Sequence, residues 1–361
     1  MRTAAVAAAA LAAAAAVAAA AIYNAYGPVP VDPRAWGVRA DPSQDETGAE
    51  AFTLTAADGV SLYVRHWPAA PRAAAAPQGA EGDGEDGAGA VGDGAGENAA
   101  APRGMVVFVH GFTWHSAYFE PAARTALGPA GFGVVTFDLA AHGLSGSRFG
   151  VPGLHPDIGS WVDAVVQVAR HARDRLGYPP GTPLFLFGES LGGALALLAA
   201  DRTAAAGGSH HPLFSGLILS GAATGPPEIL PPPALFAALR RAAAALPRAP
   251  AGAGIGGEGP FMASFGDQEF ARRAWDSDPL IVRRLPLGVL PHMLPALDAS
   301  AAAGTRLALP LLLLHGDEDK KVSARLSREL HARAGACGDK TLVIYPGGSH
   351  QLLQASLGRW N

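Results

Sequence analysis

A chain of 361 residues has room for one large domain with decoration, and its length does not demand two cores. The apolar share of 49% overstates the core because much of it is alanine, and a net charge of −4 leaves no concentrated basic face for nucleic acid. A single cysteine, Cys337, excludes an internal disulfide and a Cys-based metal cluster.

After Arg2, residues 4–22 are almost purely apolar: alanines with Val6, Leu11, Val17 and Ile22. The run is about long enough to span a bilayer, and it reads as a membrane anchor or uncleaved signal. A cleaved signal, a transit peptide to an organelle such as the chloroplast, and a plain alanine-rich helix in a cytoplasmic protein are the alternatives. One domain is expected over 40–361. It opens with Phe52 to Thr55, the turn Asp58-Gly59, and Val60 to Trp67, which together predict a β-hairpin. Residues 69–103 hold six acids and two bases and almost no large apolar groups. That composition predicts a disordered acidic linker, and it accounts for the whole net charge.

Met105 to Val109 is a continuous apolar run, as expected of a strand buried on both faces. A helix is expected from about Ala117 to Ala130, then a strand at Val134 to Phe137. Ile158, Trp161, Val162, Val165, Val168 and Ala169 recur at helical intervals. Further strands are expected at Leu184 to Phe187, Leu217 to Leu219, Leu311 to Leu314 and Thr341 to Tyr345. Helices are expected at Leu191 to Ala200 and from Val322 to Ala334. Strands alternating with helices predict an α/β fold with a mostly parallel sheet covered on both faces. Residues 226–309 interrupt that alternation and read as a cap insertion over a site.

Gly188-Glu189-Ser190-Leu191-Gly192 matches G-x-S-x-G between an expected strand and an expected helix. That is the setting in which a serine hydroxyl is presented on a sharp turn as a nucleophile. A serine that merely caps a helix is the bland alternative. The nucleophile needs a base downstream of an acid. Of His315, His331 and His350, only His350 follows a late strand on a flexible run, Gly347-Gly348-Ser349. Asp317, Glu318 and Asp319 follow the Leu311 to Leu314 strand, and their spacing leaves the acid open among the three. Oxyanion donors are expected at the N–H groups of Leu191, after the nucleophile, and Phe112, after an early strand. His110 reads as structural, and the turn from Asp138 to Gly146 reads as scaffolding near the site.

Five ordered motifs stand together: HGF at 110–112, FDLAAHGLSGS at 137–147, GESLGG at 188–193, LLLLHGDED at 311–319 and YPGGSH at 345–350. In these the chain resembles the monoacylglycerol lipase and lysophospholipase family of α/β-hydrolases, with its serine aminopeptidase-like relatives, and most nearly the plant and algal type. The resemblance implies an eight-stranded, mostly parallel sheet with a cap, in which Trp275 to Leu280 is a cap segment. It selects Asp319, three residues after Gly316, as the acid of a Ser190–Asp319–His350 triad, and it supports Phe112 and Leu191 as oxyanion donors. It implies a small-molecule lipid or ester substrate, with neither metal nor organic cofactor. The chain departs from the family pattern in Ala141, where the family has glycine, in the acidic linker, and in ending 11 residues after His350. A phenolic-ester esterase, a thioesterase, a peptidase and a non-catalytic receptor on the same fold are the rival readings.

Overall fold

The structure is a computed structural model, and it describes residues 45–73, 99–205, 212–226, 232–251 and 257–353. The apolar run 4–22, most of the acidic linker (74–98) and the last eight residues lie outside the described residues. At the flanks of that linker, Arg72–Ala73 and Ala99–Ala100 pair as a short antiparallel ladder.

Strands β1 (Glu50–Thr55) and β2 (Ser61–Trp67) form the expected hairpin, with Thr55 opposite Ser61. Asp58 closes its turn by accepting the Val60 N–H at 3.1 Å. Six further strands complete the sheet: β3 (Gly104–Val109), β4 (Phe132–Phe137), β5 (Leu184–Glu189), β6 (Gly216–Ser220), β7 (Leu311–Gly316) and β8 (Lys340–Tyr345). They lie in the order β1-β2-β4-β3-β5-β6-β7-β8. Strand β2 pairs antiparallel with β4, and every pairing from β4 through β8 is parallel. The strand–helix alternation predicts a mostly parallel sheet, and its eight strands are those that the resemblance implies.

The two faces of the sheet divide the apolar strands by their period of two. Met105, Val107 and Val109 of β3 join one core with Leu184 and Leu186 of β5. Val106 and Phe108 point the other way, into a second core with Val134 and Phe187. Both faces being dry explains why β3 reads as an unbroken apolar run. Helix α1 (Ile158–Arg175), started by Asp157 accepting the Ser160 N–H at 3.2 Å, buries its apolar stripe on the first face. Helix α2 (Leu191–Ala205) is apolar all round from Leu191 to Ala200 and is buried there beside it, while its last turn, from Asp201, reaches the surface.

The helix expected over 117–130 is instead three short pieces: a 3₁₀ turn Ser116–Phe119, an α turn Glu120–Ala122 and a π turn Ala123–Leu127. Pro121 has no N–H to donate. The Gly128 N–H reaches back five residues to the Ala123 carbonyl at 2.8 Å, which widens the last turn.

Between β6 and β7 come α3 (Pro233–Ala245), α4 (Glu258–Met262), α5 (Gln268–Ser277) and α6 (Leu290–Arg306). The described part of the insertion thus carries four α-helices joined by irregular turns. Its last helix is not part of a lid, because α6 packs on α2 and sends Ala296 and Leu297 into the main core. A final helix, α7 (Ala324–Arg333), joins β7 to β8.

Candidate active site

Ser190 stands between β5 and α2 with φ of +55°, a left-handed backbone at a non-glycine residue. Such a conformation costs about 1–2 kcal/mol, so the surrounding chain must enforce it. It does so with three backbone hydrogen bonds. The Ser190 N–H donates to the Ser220 carbonyl at 3.1 Å, and the Ser190 carbonyl accepts from Gly193 at 3.0 Å and Ala223 at 2.9 Å. The glycines of the motif are needed for close approach. A Cβ at Gly192 would lie 2.1 Å from the Val109 carbonyl oxygen, and one at Gly188 would lie 2.5 Å from that of Gly192. The strained turn thus holds the hydroxyl at the carboxyl end of the sheet, at the N-terminus of α2.

Gly111, just after β3, packs on Ser190, and a Cβ there would lie 3.6 Å from the Ser190 Oγ. The next residue is Phe112, so the loop from β3 and the first residue of α2, Leu191, flank the serine together. On the far side, Gly221 follows the Ser220 that binds the Ser190 N–H. A Cβ at Gly221 would meet the His350 Nδ1 at 3.2 Å and the Asp319 Oδ2 at 3.4 Å. Imidazole and carboxylate therefore meet at Gly221, one residue after the Ser220 whose carbonyl accepts the Ser190 N–H.

Among the three acids, only Asp319 meets the ring. The His350 Nδ1 donates to the Asp319 Oδ2 at 2.7 Å, and both side chains are buried. Asp317 and Glu318 are exposed; Asp317 instead accepts the Gly347 N–H at 2.7 Å and shapes the turn that carries the histidine. The other Asp319 oxygen accepts the N–H groups of Lys321 at 2.7 Å and Val322 at 2.9 Å. Burial pushes the Asp319 carboxyl up, but hydrogen bonds from His315 and His350 and the N–H of Val322 outweigh it and hold the group well below the usual range. Asp319 is thus anionic at neutral pH. An acceptor-only carboxylate on Nδ1 assigns the proton to that nitrogen and leaves the Nε2 lone pair of neutral His350 available.

Residues 100–355 match the family model described as "Serine aminopeptidase, S33". The chain belongs to this family. The hydrolase is 30% identical over 257 residues to human monoglyceride lipase, covering 70% of this chain and 76% of the human protein. It is 27% identical to the monoacylglycerol lipase of Mycolicibacterium smegmatis over 254 residues, or 70% of this chain and 82% of that one. Its fold matches the crystal structure of Paleococcus ferrophilus monoacylglycerol lipase with a TM-score of 0.57 at 23% identity, covering 70% of this chain and 89% of that one. It matches a soluble variant of the Saccharomyces cerevisiae monoglyceride lipase with a TM-score of 0.58 at 18% identity, covering 88% and 96%. The chain is a carboxylic ester hydrolase.

The cap of this hydrolase is tied to the loop after Phe112. Trp114 and Tyr118 pack with Phe261, Phe265, Phe270 and Trp275 in an aromatic cluster. Asp278 accepts from the Tyr118 hydroxyl and pairs with the His115 Nε2, both at 2.8 Å. Trp275 and Asp278 belong to the expected cap segment, and Arg283 holds both of their carbonyls. The turn from Asp138 to Gly146 is buried scaffolding, as the sequence suggests. Burial pushes the His110 imidazole down to about 4, so it is neutral. Its Nδ1 donates to the Gly111 carbonyl at 2.7 Å and its Nε2 accepts the Leu139 N–H at 2.9 Å.

Ala141 has φ of +66° and no exposed surface. Its N–H and carbonyl are held by Gly146 at 2.8 Å and Gly153 at 2.7 Å. The left-handed backbone costs alanine about 1–2 kcal/mol, and glycine would lose about 0.5–1 kcal/mol more chain entropy on folding. Ala141→Gly is therefore expected to stabilise the protein by about 0.5–1 kcal/mol, read as a higher urea midpoint. A lower midpoint would contradict the strain.

Two contacts escape sequence reasoning. His315 precedes Asp319 in the chain and no spacing marks it, yet its Nε2 lies 3.1 Å from the Asp319 Oδ2. Glu189 and Gln351 flank Ser190 and His350 in sequence, and adjacency was the only signal; both are buried.

Proposed function

We propose that this hydrolase cleaves monoacylglycerol or lysophospholipid esters by two-step acyl transfer on Ser190. His350 takes the hydroxyl proton through Nε2 as Oγ bonds to the ester carbonyl carbon. Asp319 holds the ring and stabilises the imidazolium. The N–H groups of Phe112 and Leu191 receive the carbonyl oxygen as it becomes an oxyanion. The intermediate collapses, the ester C–O bond breaks, and His350 protonates the departing alcohol. Water, deprotonated by His350, then releases the fatty acid and restores Ser190. The pairing of a buried, anionic Asp319 with the His350 Nδ1 carries this reading, because it leaves the other ring nitrogen as a base. The lipid substrate is supported by the names of the monoglyceride lipase relatives.

The apolar run 4–22 is proposed to hold the enzyme at a membrane surface, where single-chain lipids partition. Among the described residues no helix is long and apolar enough to cross a membrane. A substrate panel tests both ideas, using the full chain and a chain lacking residues 1–22. Monoacylglycerol or lysophospholipid is expected to give the highest kcat/KM, ahead of a feruloyl ester, an acyl thioester and an aminoacyl arylamide. The full chain alone is expected to float with lipid vesicles. Preference for the feruloyl ester, the thioester or the arylamide rejects the lipid substrate, and equal flotation of the two chains rejects the tether.

A further inference from the structure

The mechanism above does not use Glu189, a buried acid beside the proposed nucleophile. Glu189 immediately precedes Ser190, and only 1% of its surface is exposed. Its carboxyl accepts a hydrogen bond from the side chain of Gln351, which immediately follows His350 and is also 1% exposed. Burying two polar side chains in contact costs desolvation that an apolar pair would avoid, so the pair is an expensive way to fill space. We propose that Glu189 and Gln351 are positioning residues: a buried brace that ties the histidine loop to the nucleophile turn and fixes where the His350 ring stands relative to Ser190.

The brace has independent geometric support. The histidine loop follows a glycine-rich turn, whose Gly348 carbonyl accepts the Glu318 N–H at 3.0 Å and whose Gly347 N–H donates to Asp317 at 2.7 Å, and its next residues are tied to the cap. The Gln351 N–H donates to the Ser264 carbonyl at 2.9 Å, and the Ser349 Oγ accepts the Gly266 N–H at 2.9 Å. Those ties hold the loop to the end of β7 and to the insertion, and none of them reaches the turn that carries Ser190. The Asp319 bond to Nδ1 fixes one point of the ring and leaves it a pivot. Gln351 adds a direct link to Glu189, the last residue of β5. Burial, opposed in part by the Gln351 amide and aided by the nearby Asp319 charge, pushes the Glu189 carboxyl up to about 8. Glu189 is therefore neutral at pH 7, and it braces the loop without adding a second negative charge beside Asp319.

This inference rests on Ser190 and His350 acting as nucleophile and base, and the test separates the two. Wild type is first labelled with a fluorophosphonate; absence of labelling at Ser190 defeats the underlying reading. Rates on a nitrophenyl ester are then expressed per labelled site. Gln351→Met keeps the side-chain volume and the backbone N–H but removes the amide. It and Glu189→Ala are each expected to lower kcat about 10- to 100-fold with KM within about twofold, because small misplacements of a catalytic group are costly. The double variant is expected to lose little more than either single one. Glu189→Gln, which can still accept from Gln351, is expected to recover at least about fivefold over Glu189→Ala. An unchanged kcat in Gln351→Met, a loss confined to KM, or independent losses in the double variant would overturn the proposal. Gln351→Met decides the matter even where Glu189→Ala fails to fold.

Discussion

Ser190→Ala is expected to lower kcat for a nitrophenyl ester by at least about 10⁴-fold while the protein stays folded. The size follows from the loss of a covalent route, which binding and oxyanion donors alone do not replace. Alanine meets the same left-handed strain as serine at φ +55°, and the three backbone bonds that hold the turn are made by main-chain atoms. The melting temperature should accordingly move by no more than about 2 °C. His350→Ala is expected to match this loss, and the pair of substitutions together to add almost nothing, since nucleophile and base act as one unit. Asp319→Asn should cost about 10⁴-fold for a different reason: an amide at that position can donate to the ring and favour the wrong tautomer. Turnover within tenfold of wild type in the Ser190→Ala protein would reject Ser190 as nucleophile.

Asp138→Asn is expected to be the most damaging single change to stability among the buried acids. Asp138 ends the β4 side of the sheet with no exposed surface. Its carboxylate accepts the Ser116 N–H at 2.7 Å and the Leu144 N–H at 2.7 Å, and it lies 3.5 Å from the buried Arg65 guanidinium. The substitution leaves the buried Arg65 to Asp45, 2.7 Å away, and turns one of the two oxygens that accept buried N–H groups into a donor, a loss of a buried pair that costs about 3–5 kcal/mol. For a domain of this size that is a fall in melting temperature of about 10 °C. The pH dependence follows from the same contacts. Burial alone would raise the Asp138 carboxyl, but the charges of Arg65, His115 and His110 and the Ser116 N–H pull it down to about 2. Because the folded value is depressed, its contribution is fully present above the unfolded value near 3.8 and is lost as pH falls toward 2. Wild type should therefore lose stability between pH 4 and pH 2 more steeply than Asp138→Asn, as measured by chemical denaturation at each pH. Equal slopes would show that the carboxylate is not stabilising the fold.

Much of this molecule can be read along the chain because its signals are local. The β3 run Met105 to Val109, the hairpin turn at Asp58-Gly59 and the strand–G-x-S-x-G–helix unit each depend on residues a few positions apart. Where local signals conflict, reading fails. Residues 117–130 carry helical composition, but Pro121 and the five-residue reach of Gly128 break the helix into three turns. The insertion 226–309 reads as one lid, yet α6 is held by α2 and belongs to the body, a division that no spacing encodes.

By itself, then, the sequence determined the strand–helix alternation, the turn at Ser190 and the loop position of His350, because periodicity and glycine placement act over short stretches. Choosing Asp319 over Asp317 and Glu318 needed either family likeness or coordinates, since three neighbouring carboxyls differ only in which way they face. The tertiary structure alone decided the contact of His315 with Asp319, the left-handed strain at Ala141, and the burial that keeps Glu189 neutral against Gln351. Desolvation and charge pairing depend on which distant segments come together, and that is a property of the folded chain rather than of any stretch of it.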